Sequence, residues 1–254
     1  MAVLKKSHAH LWAWILLLVI LVSAGAKAGP AALAPQKFSD FTTPTPIPEG
    51  NTLIIGFLGG WEKWNEAKRG VRKFALRLRA KNLPGVHIET VENRRRDMAM
   101  QLVNRAFDRN GDGKLSEEEA GSARVILFGQ SFGGAAVNKL SKELKLLGVP
   151  VLLTVQIDSV GAGDAEVPSN VRRAANFFQR NDHFFIRGER ELRAEDPAST
   201  DILGNYEYNY SGKKVDLSDG HWYQRIFRNA HVKMEHDPEV WAKVEAIILE
   251  EIRK

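Results

Sequence analysis

The chain has 254 residues, a formal net charge of +5, 44% apolar residues and no cysteine. That length and apolar content suit one large domain or two small ones, and they exclude a disordered or low-complexity chain. The missing cysteine excludes a disulfide framework, a thiolate zinc site, an iron–sulfur cluster and a cysteine nucleophile.

Lys5 and Lys6 precede an apolar run from Leu11 to Val22, and small residues follow from Ser23 to Ala28. This layout reads as a secretory signal peptide over residues 1–28, with A-x-A sites at Ala24-Gly25-Ala26 and Ala26-Lys27-Ala28. An uncleaved anchor is the alternative, although the run is short of the ~20 apolar residues a span needs. Both readings predict an exported body, periplasmic or secreted, with membrane contact only through this segment. No cysteine follows the run, so lipid attachment at a processed N-terminal cysteine is excluded. Residues 1–28 hold Lys5, Lys6 and Lys27 and no acid. The rest of the chain is close to charge balance, and no nucleic-acid partner is expected.

Residues 29–51 carry Pro30, Pro35, Pro44, Pro46 and Pro48 and read as an extended linker or leading arm. From residue 52 onward the pattern is that of one α/β domain. Leu53 to Leu58 reads as a buried strand. Glu62 to Lys81 reads as a helix with Trp64, Ala67, Val71, Phe74, Ala75 and Leu78 on one face and Lys68, Arg69, Arg72 and Arg79 on a basic one. That basic face would suit solvent or an anionic envelope surface. Val86 to Val91 is a strand, Arg94 to Arg96 a solvated helix start, and Asp97 to Phe107 a helix. Val125 to Phe128 and Val151 to Ile157 are buried strands flanking a helix from Gly133 to Leu147. The alternation predicts a mostly parallel sheet with helices on both faces. Val171 to Gln179 is open between strand and helix. Phe184 to Leu192 alternates like a hairpin. The aromatics of Asn205 to Tyr210 suit a sheet edge, and Glu239 to Ile252 is a closing amphipathic helix.

Residues 108–119 run Asp108, Asn110 and Asp112 at alternate positions, then Gly113, Lys114, Ser116 and Glu119. The spacing supplies hard oxygen ligands at positions 1, 3, 5, 7 (the Lys114 carbonyl), 9 and 12, with glycine at the sharp turn and Leu115 packing inward. The segment resembles an EF-hand calcium loop. The resemblance implies Ca2+ as the bound ion, with Asp108, Asn110, Asp112, Lys114, Ser116 and Glu119 as its ligands. Only a short exit helix fits before the next strand, so a lone, structural site is expected. An acidic solvated turn is the alternative.

Gly129-Gln130-Ser131-Phe132-Gly133 lies between a buried strand and a helix that opens with small residues. G-x-S-x-G in that context sets the serine hydroxyl clear of the sheet on a sharp turn. Over about residues 50–254 the chain resembles the α/β-hydrolase superfamily. The resemblance implies a serine nucleophile, an acid and a histidine in that chain order, with an oxyanion hole of two backbone N–H groups. Ser131 is then the nucleophile. His231, just before the last helix, is the expected base, with His236 and His221 as alternatives; chain order removes His87. Asp158 ends the strand after the elbow, where some members, thioesterase domains among them, carry the acid; Asp182 or Asp196 would occupy the more usual position. Phe132 N–H is one oxyanion donor. Gly60 or Trp61 supplies the other from Gly59-Gly60-Trp61, where the family often has His-Gly. Trp61 and Trp64 suit either the site mouth or the core.

The expectation is an exported serine hydrolase of carboxylic esters or thioesters, acting on a small-molecule or lipid ester through an acyl-enzyme. The loop would fix the segment that feeds the nucleophile's strand. The alternative is a catalytically inactive relative that binds calcium and a partner.

Overall fold

In the computed structural model, which describes residues 35–182 and 187–254, the apolar runs lie side by side as parallel strands. β1 is Thr52–Leu58, β2 Val86–Glu92, β3 Val125–Gln130, β4 Val151–Ile157, β6 Val171–Gln179 and β8 Asp201–Tyr208. They pair in the order β2-β1-β3-β4-β6-β8, every neighbour parallel. Two dipeptide strands, β5 (Glu166–Val167) and β7 (Arg193–Ala194), pair separately. Parallel strands need crossovers, and helices supply those from β1 through β4: α1 (Gly70–Arg79), α2 (Arg96–Phe107), the short α3 (Glu117–Ser122) and α4 (Phe132–Leu146). After β8 come α5 (Trp222–Ile226), α6 (Ala230–His236) and α7 (Pro238–Ile252).

The two faces of β1 separate the core into two layers. Leu53, Ile55 and Phe57 meet Leu102 and Val103 of α2 and Val137 and Leu140 of α4. Ile54 and Leu58 meet Phe74 and Leu78 of α1 and Val240, Trp241 and Val244 of α7. The direction of chain progress across the sheet reverses after β2, and right-handed crossovers then place α1 and α2 on opposite faces. This is the α/β-hydrolase-like architecture the sequence suggested.

Three expectations change. The helix expected over Glu62 to Lys81 spans only Gly70–Arg79. Residues 61–69 are turns, because Glu62 folds back to accept a hydrogen bond from Gly59 N–H at 3.2 Å. The basic face does not meet solvent as a unit. Arg69 is buried, Arg79 pairs with buried Glu89 at 2.6 Å, and Arg72 donates to Thr90 Oγ1 at 2.7 Å. Of the expected hairpin, residues 184–186 lie outside the described residues, and 187–192 form no strand; Asn205 and Asp158 take the Leu192 and Gly188 N–H groups instead. Val171–Gln179 is a strand, and Asn205 to Tyr208 are part of the edge strand itself.

The signal or anchor segment, residues 1–28, lies outside the described residues. The proline-rich stretch is held against the domain from Gln36 onward. Gln36 Nε2 donates to the Thr90 carbonyl at 2.9 Å, and Ile47 is buried with its N–H on the Ala106 carbonyl at 2.9 Å. Between them, Thr42 and Thr43 direct both N–H groups and both hydroxyls at Glu89 Oε1, all within 2.9 Å. A single buried carboxylate thus fastens the arm. Glu89→Ala strands those donors and Arg79, and is expected to lower stability by about 2–3 kcal/mol in denaturant unfolding.

Candidate active site

The order in which the chain fills the sheet reverses between β1 and β3, and open parallel sheets bind ligands beyond the C-terminal ends of the strands at such a point. Ser131 stands there, between β3 and α4, at φ 59 and ψ −129. A non-glycine residue in that region stores roughly 1–3 kcal/mol of strain, and surrounding bonds must hold it. Ser131 N–H donates to the Ile157 carbonyl at 3.0 Å, and its own carbonyl accepts from Gly134 at 2.9 Å and Val160 at 3.1 Å. The turn closes only because of two glycines. A Cβ on Gly129 would strike the Gly133 carbonyl, and one on Gly133 would strike the Phe57 carbonyl of β1.

Asp158 follows β4 directly, fully buried and at φ 43. Its Oδ1 accepts from Gly188 N–H at 2.7 Å, and its Oδ2 from Gln179 Nε2 at 2.9 Å. His231 Nδ1 meets Oδ2 at 2.6 Å. Burial alone would lower the imidazole pKa. The Asp158 hydrogen bond and charge, with Glu235 and Asp182 beyond, outweigh it and raise the pKa above the usual histidine value.

His231 sits in the first turn of α6. Asn229 caps that helix through Val232 N–H at 2.9 Å. Asp182 accepts the Ala230 and His231 N–H groups at 3.1 and 2.7 Å. The two candidate acids therefore divide the work. Asp158 holds the ring, and Asp182 holds the backbone that carries the ring. Asp196 takes the Ala198 N–H in a surface turn.

The other histidines lie elsewhere. His221 contacts Glu66, His236 is buried beside Asp219, and His87 meets Asn51. His183 lies outside the described residues. At His231 Nε2 the neighbour within hydrogen-bond reach is the Gln130 amide, at 3.3 Å. Ser131, one residue on, makes no hydrogen bond to that nitrogen among the described residues.

The loop after β1 passes close to the serine: a Cβ on Gly59 would come 3.0 Å from Ser131 Cβ. Gly59 N–H is already committed to Glu62, so Gly60 and Trp61 stay the candidates in this loop for the expected second oxyanion donor. Phe132 opens α4, and its ring is half exposed, as is Trp61, whose ring lies 5.3 Å from the Arg94 guanidinium. Trp64 carries Arg72 over its ring at 5.4 Å.

The 108–119 loop is folded by its own carboxylates. Asp108 accepts from Gly111 and Gly113 N–H at 2.8 and 2.9 Å, Asn110 from Asp112 at 2.8 Å, and Asp112 from Lys114 at 2.9 Å. Gly113 sits at φ 86, the conformation its place in the loop demands. Glu119 turns back to accept from Ser116 N–H and Oγ and from the Asn110 and Arg109 N–H groups, which hold its carboxyl down at about 2. Leu115 packs on the core. Among the described residues, no three histidine, aspartate or glutamate side chains converge closely enough to hold a metal ion.

Several residues with a part in this site escaped the sequence reading: Gln130, Gln179, Gly188, and the buried Glu62, Arg69 and Glu235. None has a local signature. Gln179 lies 21 residues from Asp158, and Arg69 lies 166 from Glu235.

No family model matches the chain, and no curated protein matches it. Among solved structures it is similar to a cutinase-like protein from Cryptococcus sp., at 15% identity and a TM-score of 0.37, over 82% of this chain and 98% of that one.

The division between the two acids is measurable by NMR titration of His231. Asp158→Asn removes the charge that favours the imidazolium, so its pKa is expected to fall by about 1–3 units. Asp182→Asn is expected to move it by less than about one unit.

Proposed function

We propose that the chain is an exported serine hydrolase that cleaves a carboxylic ester or thioester through an acyl-enzyme. The observation that carries this reading is the 2.6 Å bond from His231 to a fully buried Asp158, assembled beside a serine held at positive φ. In this reading Asp158 fixes the Nδ1–H tautomer, so Nε2 is free to accept a proton. Ser131 Oγ takes the place of the Gln130 amide at Nε2 as substrate enters. Oγ attacks the acyl carbon and its proton passes to Nε2. The carbonyl oxygen becomes an oxyanion, met by Phe132 N–H and by Gly60 or Trp61 N–H. Collapse expels the alcohol or thiol, which takes the proton from His231. Water then repeats the sequence on the acyl-enzyme, releasing the acid and restoring the serine.

Five exposed apolar side chains support an apolar substrate. Trp61 follows β1, Phe132 follows Ser131, and Trp222, Ile226 and Phe227 lie just before α6. They suit a small-molecule or lipid ester. No helix among the described residues is long and apolar enough to cross a membrane.

The second reading, a non-catalytic calcium-binding interaction protein, draws on the Gln130 amide at Nε2. A fluorophosphonate probe separates the two. Labelling of wild type that is lost in Ser131→Ala supports the hydrolase; folded wild type that takes no label overturns it. Only neutral His231 accepts the serine proton. With its pKa raised, activity is expected to fall as pH drops through a midpoint above the ordinary histidine value, and that midpoint should shift down in Asp158→Asn, with activity reduced about 10³–10⁴-fold.

A structural calcium ion belongs to the same proposal. The donor set is all hard oxygen, which fits Ca2+: Asp108, Asn110, Asp112 and Glu119 side chains, the Lys114 carbonyl, and Ser116. When bound, the ion supplies charge neutralisation to these carboxylates. The loop's own residues then brace the lead into β3, through the short α3 that Ser116 and Glu119 cap reciprocally. At ~2 mM calcium a site with Kd ~10⁻⁴–10⁻³ M adds about 0.6–1.8 kcal/mol. The expected readout is a Tm rise of about 2–6 °C that disappears in Asp112→Ala. An unchanged Tm on chelation overturns the calcium site.

A further inference from the structure

Two segments must be placed within a fraction of an ångström for the chemistry above: the turn bearing Gly60 and Trp61, and the helix bearing His231. They belong to opposite ends of the chain, yet a single side chain joins them. Arg69 Nη2 lies 3.0 Å from Glu62 Oε1, and Arg69 Nη1 lies 3.3 Å from Glu235 Oε2. All three residues are buried.

Each carboxylate is tied into its own segment. Glu62 accepts Gly59 N–H through Oε2 at 3.2 Å and returns its N–H to the Gly59 carbonyl at 3.1 Å. Those two bonds close the turn that holds Gly60 and Trp61. Glu235 lies one helical turn after His231 on α6. It accepts Gly70 N–H at 3.1 Å and Gln224 Nε2 at 2.6 Å, and its carbonyl accepts Trp241 Nε1 at 2.7 Å. α1 and α6 pack so closely that a Cβ on Gly70 would strike the Glu235 backbone.

Two buried carboxylates on one guanidinium are an expensive way to fill space. A buried ion pair is often no more stable than apolar side chains of the same volume, because desolvation offsets the Coulomb gain. What it does supply is fixed geometry. The planar fork reaches two acceptors at set angles, and slippage of either segment strands a buried charge. Glu66, His221, Tyr223 and His236 complete the charged surroundings. Burial, opposed by Arg69 and reinforced by Glu235 and Glu66, pushes the Glu62 carboxyl up to about 7, while Glu235 is held below the usual carboxylate range.

We infer that Arg69 is a positioning residue of the site, acting through Glu62 on the oxyanion turn and through Glu235 on the His231 helix. The inference rests on the hydrolase reading for its catalytic consequence, while the mechanical link stands on the geometry alone.

Arg69→Lys keeps the charge but cannot reach both carboxylates. Wild type and variant are compared by hydrogen-exchange mass spectrometry, by fluorophosphonate labelling, and by kinetics on a chromogenic short-chain ester. Exchange is expected to rise in residues 58–64 and 229–236 together while β3 and β4 stay protected. In the same variant kcat is expected to fall about 10–100-fold, with KM changed by less than about twofold. Should Arg69→Lys not fold, Glu62→Gln, which keeps the shape and uncouples the charge, is held to the same criteria. Labelled wild type with a variant whose exchange rises in one segment or neither, or whose kcat is unchanged, overturns the positioning role alone. Wild type that takes no label overturns the hydrolase reading and the positioning role with it.

Discussion

A carboxylate with no exposure to water must have its oxygens met by donors, and Asp158 meets that requirement with Gly188 N–H, Gln179 and His231. The site is organised around those three bonds. The Gly188 bond draws in the segment after β6. The Gln179 bond uses the last residue of β6 itself. The third orients the imidazole, whose far nitrogen faces the Gln130 amide. Asp158 also lies at positive φ directly after β4, so the strand's end and the histidine's orientation are one constraint.

The elbow is the second constraint, and it is steric. Strand β3, helix α4 and the end of β1 approach so closely that a methyl group at Gly129 or Gly133 would overlap a carbonyl. The strained Ser131 conformation persists because the parallel sheet fixes both neighbours. Its N–H is taken by β4 and its carbonyl by the turns on either side. The same close approach brings the β1 loop against the serine. Ser131 and the loop after β1 are therefore placed by one packing event.

Buried charge joins distant segments of this fold. Glu89 fastens the N-terminal arm, Asp182 fastens α6, and Arg69 joins Glu62 to Glu235. Each is a charge-assisted contact between segments distant in sequence, where apolar packing would hold the pieces together without specifying their register. The 108–119 loop follows a different rule. Its carboxylates bond to their own loop, which is why its pattern is compact enough to recognise in a dozen residues.

Features with local causes were legible in the amino-acid order. Runs such as Leu53 to Leu58 and Val151 to Ile157 are apolar on both faces, so they had to be central parallel strands, and their bounds shift by at most one residue in the structure. The elbow was legible because its glycines are required within two residues of the serine, and Asp158 and His231 were reached, among alternatives, through the acid and histidine that the α/β-hydrolase resemblance implies after the serine. Helical periodicity over Glu62 to Arg69 misled, because a repeating polar pattern looks the same whether the charges face solvent or one another. Only the tertiary structure decided that Asp158 takes the ring and Asp182 the backbone, that Gln130 faces Nε2, and that Arg69 is buried between two glutamates. Apart from the Arg69–Glu62 pair, those are bonds between residues tens to more than a hundred positions apart. A sequence read through local spacing carries the period of each element, whereas the partner of a buried charge is set by which elements the folded sheet brings together.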